Sequence, residues 1–91
     1  MNIDFDKTKQ YMADVVEPFL REIGFIYKKT RLGAYWLLEI DCWHSAHLFI
    51  NHIAGYIGLE INSETVWRKD RLDTFEEFER AFENLRTFLT T

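Results

Sequence analysis

"AHLFINHIAGYIGLEIN", residues 46–62, decides how this chain folds. Ile57, Leu59 and Ile61 alternate with Gly58, Glu60 and Asn62, the period of two that marks a half-buried strand. Upstream, Ala46, Leu48 and Ile50 alternate in the same way with His47, Phe49 and Asn51. Ala54-Gly55 between the two runs reads as a two-residue hairpin connection. That turn sets Ile53 opposite Tyr56, and so pairs His52 with Ile57, Ile50 with Leu59 and Leu48 with Ile61 on the core side. His47–Asn62, Phe49–Glu60 and Asn51–Gly58 then share the other side.

Working outward, "FIYKKT" (25–30) and "AYWLLEID" (34–41) are two further strands, flanking Arg31-Leu32-Gly33. A two-residue loop there buries Phe25 and Tyr27, whereas a three-residue loop buries Ile26. A three-residue connection, Trp43-His44-Ser45, carries the chain onward. It places Trp36, Leu38 and Ile40 in the core, with Cys42 a small buried residue beside Ala46.

Two helices enclose the strands. Met12, Val15, Val16, Phe19, Leu20 and Ile23 recur at three- and four-residue spacing and predict a helix over 6–23, kinked or split at Pro18. "TFEEFERAFENLRTFL" opens on Thr74 and Glu77, spaced as a capping box, and Phe75, Phe78, Phe82, Leu85 and Leu89 form its apolar stripe. "SETVWRKDRLD" (63–73) reads as a loop anchored by Trp67. The expected fold is α+β in two layers: one domain over 1–91, with a four-stranded antiparallel meander in the order α-β-β-β-β-α. Both helices then pack on one sheet face.

Composition narrows the function classes. A chain of 91 residues that is 47% hydrophobic can fill one core. The net charge of −4 argues against a nucleic-acid binder, which needs a basic footprint. Every Lys and Arg lies before residue 32 or after residue 67, and the basic-free middle carries Glu39, Asp41, Glu60 and Glu64. A single Cys fits a reducing compartment, and no apolar leader or span is visible, so a cytoplasmic protein without a membrane partner is expected.

Cys42, His44, His47 and His52 fall within eleven residues, a cluster that suggests a metal. Ligands must converge, however. In this register Cys42 and His52 lie at opposite ends of the core face, His47 points outward and His44 sits at a loop tip. No metal and no cofactor is expected.

The outward rows are Tyr35–Ile53–Tyr56, Leu37–Asn51–Gly58, Glu39–Phe49–Glu60 and Asp41–His47–Asn62. Aromatic and apolar groups ringed by carboxylates are the chemistry of a binding surface. The candidate partner-binding residues are therefore Tyr35, Leu37, Glu39, Asp41, His47, Phe49, Ile53, Tyr56 and Glu60, facing a protein with a basic surface. The alternatives are a homo-oligomer burying the same face and a small hydrolase or metal-dependent enzyme using Asp41 and His47. In size, charge and architecture the chain resembles immunity proteins of bacterial toxin–immunity pairs and small inhibitors of nucleases. The resemblance carries no motif and so assigns no residue. It implies a non-catalytic protein that neutralises its partner.

Overall fold

The computed structural model describes residues 4–90. A helix runs from Phe5 to Glu22 in three pieces: α1 (Phe5–Tyr11), a wider π-helical segment (Met12–Val16) and α2 (Glu17–Glu22). Asp4 caps its start by accepting from the Lys7 N–H at 3.0 Å. Pro18 stands at the beginning of α2. It has no N–H to give and its ring crowds the preceding turn, which is tolerated at the first turn of a helix, and the widened segment lies just before it. Five strands follow: β1 (Ile26–Thr30), β2 (Gly33–Glu39), β3 (Ser45–Asn51), β4 (Tyr56–Ile61) and β5 (Glu64–Lys69). The last element is helix α3 (Phe75–Thr90). Thr74 begins it: its hydroxyl accepts from the Glu77 N–H and donates to the Glu77 carboxylate, both at 3.1 Å.

The architecture is one antiparallel sheet in the order β1-β2-β3-β4-β5 together with the two helical regions. The sheet has five strands, not the four expected. β5 is the segment read as a loop. It pairs with β4 through a two-residue turn at Asn62 and Ser63, both with positive φ (52° and 70°). Val66 is the extra residue of a bulge, since Leu59 pairs with Trp67 but Glu60 with Thr65. The basic run Arg68-Lys69 had obscured the β-branched and aromatic character of Thr65, Val66 and Trp67.

Two registers also differ from expectation. Leu48 faces Leu59 rather than Ile61, a shift of two residues, and Glu39 faces Ser45 rather than Phe49, a shift of four. One physical cause serves both. Asn51 and Asp41 fold their side chains back onto the chain and build longer loops than the two- and three-residue ones expected. The Asn51 carboxamide accepts from the N–H groups of Ile53 and Ala54, and the Asn51 carbonyl accepts from Gly55 N–H. The Asp41 carboxylate accepts from the N–H groups of Trp43 and His44. Ile53 is therefore in a loop and 69% exposed, Ile40 is half exposed and Cys42 is exposed, rather than lying in the sheet or the core. Both shifts are even, and a strand repeats every two residues, so the faces of the paired residues are unchanged.

β1 and β2 meet through the two-residue loop, with Tyr27 opposite Trp36. Phe25 is buried as that loop requires, while Tyr27 stays half exposed with its ring 5.2 Å from that of Trp36. The core lies between the sheet and the helices. Val16 and Leu20 from the first helical region join Phe78, Ala81, Phe82 and Leu85 of α3 over Trp36, Ala46, Leu48, Ile57 and Leu59. Tyr11 ties the helices together by edge-on contacts with Phe75, Phe78 and Phe82, and its hydroxyl donates to Glu83 at 3.1 Å. Burial first, and then the Glu83 carboxylate, push the Tyr11 phenol well above its ordinary range.

Candidate functional site

Because the helices share one sheet face, the other is left open among the described residues. It is built from two cross-strand rows. One row runs Ile26–Leu37–His47–Glu60–Thr65 through consecutive pairs. In the other, Lys28 faces Tyr35, and Phe49 faces Gly58, which faces Arg68. The rings of Tyr35 and Phe49 close this second row at 5.9 Å. His47 lies 5.1 Å from Tyr35 and 6.5 Å from Phe49, nearly parallel to the latter at 16°. Tyr56 continues the aromatic surface toward the β3–β4 loop and carries the Arg68 guanidinium over its ring at 5.0 Å. Tyr35, His47, Phe49, Asn51 and Tyr56 line a shallow concavity of about 600 Å³.

Glu39 and Glu60 lie toward the β2–β3 loop, Lys28 and Arg68 sit in the row beyond that of Glu60, and the Asp70 carboxylate stands at the far side, against Arg68. Arg68 is held in place: Nε lies 3.0 Å from both Asp70 oxygens and Nη2 is 3.0 Å from one of them. The pair raises the Arg68 pKa and lowers that of Asp70.

Of the nine residues expected to bind a partner, Tyr35, Leu37, Glu39, His47, Phe49, Tyr56 and Glu60 stand on this face. Ile53 and Asp41 do not; they belong to the β3–β4 and β2–β3 loops. Asp41 meets His44 instead of His47, with Nδ1 donating to its carboxylate at 2.8 Å. The backbone N–H of Trp43, and then the His44 side chain, hold the Asp41 carboxyl below its ordinary value. Asn62 points its carboxamide oxygen at the Ser45 N–H, 3.1 Å away. The Asp41–His47–Asn62 set on which the enzyme alternative rested is therefore not assembled. Cys42 and His44 lie in one loop, His47 on the open face and His52 at the far end of the sheet. Among the described residues no three His, Cys, Asp or Glu side chains come together to hold a metal.

Thr65 and Arg68 are the face residues that the loop reading of 63–73 missed. The signal that could have found them is Asn62-Ser63, two residues tolerant of positive φ between runs of strand character.

No protein-family model matches the chain, and neither does any curated protein or solved structure. Among the described residues no helix is long and apolar enough to cross a membrane.

Proposed function

We propose that the chain is a non-catalytic protein-binding module of the immunity or inhibitor kind, and that its open sheet face is the working surface. One observation carries this reading: Tyr35, His47, Phe49 and Tyr56 form a continuous aromatic surface on the side of the sheet away from both helices. These rings are each partly exposed, and contiguous apolar surface left in water favours coverage by a partner. Aromatic side chains are the usual anchors of such contacts because they bury much area and lose few rotamers. Glu39 and Glu60 would meet basic groups of the partner and speed its approach.

The test is capture from native cells at moderate salt with tagged wild-type protein and with Phe49→Lys, both checked for native circular dichroism. The reading expects a stoichiometric protein partner on the wild type and none on the variant. It further expects the purified partner to lose its own activity on equimolar addition of the wild type. Equal capture by both proteins would remove the face from consideration. A partner that stays fully active would remove the inhibitor role.

A further inference from the structure

We infer that, in the absence of another partner, this face is closed by a second copy of the same chain, packed face to face about a two-fold axis that crosses the strands. The inference rests on the reading of the face as a protein-binding surface. It comes from the order of charge along the strands, which the basic-free sequence between residues 32 and 67 conceals.

From that sequence alone, self-pairing would set Glu39 and Glu60 against their own copies. The fifth strand changes this, because Arg68 lies beside Gly58 on the open face, and Lys28 lies beside Tyr35 at the other edge. A two-fold axis lying in the interface across the strands reverses strand direction in the mate. The row bearing Leu37, His47 and Glu60 then falls over the mate's row bearing Tyr35, Phe49 and Arg68. Glu60 arrives above the mate's Gly58, the one position in its row with no side chain to meet it. The guanidinium waits there: Asp70 engages Nε and Nη2, while Nη1 lies 3.8 Å from where a Cβ on Gly58 would stand. Each contact occurs twice. An axis parallel to the strands would instead lay the carboxylate ends on one another, which opposes pairing.

The sheet edges direct association onto the face. β1 carries Lys28 and Lys29, and β5 is bulged at Val66 and ends in Arg68 and Lys69, features that discourage strand addition. Five strands at about 4.8 Å spacing and four outward positions at about 6.7 Å give a footprint on the order of 500 Å² per copy. That is at the lower edge of stable interfaces, so the dimer should dissociate on dilution through the micromolar range.

The experiment is sedimentation equilibrium of the full chain over rising concentration, with wild type, Leu37→Lys, Glu60→Arg and Arg68→Glu, each checked by thermal melt. The wild type is expected to pass from monomer to dimer, and each variant to weaken the dimer by about tenfold or more. Mixing Glu60→Arg with Arg68→Glu should restore a one-to-one heterodimer, because the reversed charges then face each other across the interface. No change inside one chain can produce that recovery. Should either reversal fail to fold, Leu37→Lys, away from the Arg68–Asp70 pair, still decides whether the face is the interface. A wild type that stays monomeric, a dimer indifferent to Leu37→Lys, or folded reversal variants that do not recover on mixing would each overturn the inference. Capture of another protein by a monomeric wild type would overturn this inference and leave the binding-module reading standing. A face-dependent dimer with nothing captured would do the reverse.

Discussion

A methyl group at position 55 would stand 2.6 Å from the carbonyl oxygen of Leu72, at a backbone angle of φ 75° that side-chain-bearing residues rarely adopt. Leu72 comes this close because its N–H donates to the Gly55 carbonyl at 2.9 Å, joining the β3–β4 loop to the approach of α3. Gly55→Ala therefore meets both a clash and backbone strain, and should cost about 2–3 kcal/mol in urea unfolding. A loss under half a kcal/mol would mean that the loop yields easily. Thr8 presents the opposite case. It is fully buried, and its hydroxyl finds no partner among the described residues. Thr8→Val keeps the shape and removes the unsatisfied group, so stability should rise by about 1 kcal/mol. A fall of that size would instead reveal that the hydroxyl is satisfied.

At the scale of elements, two loops are made by one device, an Asx residue at the end of a strand or just past it. The β2–β3 loop is the one whose device titrates. The folded-state pKa of Asp41 is lowered by the Trp43 N–H first and by His44 second. A depressed carboxyl contributes order that is fully present above its unfolded value and is lost as pH falls through the folded value. The Trp43 and His44 amide resonances should hence shift together on acidification, with a midpoint below the ordinary Asp value of about 3.9. Asp41→Asn keeps an accepting oxygen and should keep the loop without that titration, whereas Asp41→Ala should expose both amides to exchange. An amide midpoint at the ordinary Asp value would refute this account of the loop. The helical elements were legible because their signals are local: a stripe for packing, and Thr74 with Glu77 for a start. Even Pro18 was visible as the place where the helix divides, and α2 does begin there; the widened π-helical turn ahead of it was not.

For the whole molecule, the decisive feature is that both helical regions spend their apolar stripes on one side of the sheet. Phe82 is fully buried where they meet, with its ring 6.0 Å from that of Tyr11 and 5.9 Å from that of Phe19. Phe82→Ala should cost about 3–5 kcal/mol, a large part of the roughly 5–10 kcal/mol that holds a domain of this size. Tryptophan fluorescence, which reports the sheet through Trp36 and Trp67, and far-ultraviolet dichroism, which reports the helices, should lose their native signals at one lower denaturant concentration. Two separate transitions would show that the helical layer and the sheet do not share one cooperative core.

Alternation and helical stripes are read one residue at a time, so the sequence by itself determined the α+β class, both helical regions, four of the five strands and the outward placement of Tyr35, Leu37, Glu39, His47, Phe49, Tyr56 and Glu60. Strand periodicity protected those assignments, since a register error of two or four residues returns each side chain to the same face. Register itself was beyond its reach. Pairing depends on loop length, and loop length depended on where Asn51 and Asp41 turned their side chains once the strands were in place. Only the tertiary structure decided that Asp41 belongs to His44, and that Ile53 leaves the sheet. It alone brought Arg68, across the Asn62-Ser63 turn, to lie beside Gly58 on the open aromatic face. The loop bonds join residues only two or three apart, but which of several such turns forms is settled by how the strands pair across the sheet, and no local pattern of hydrophobicity encodes that pairing.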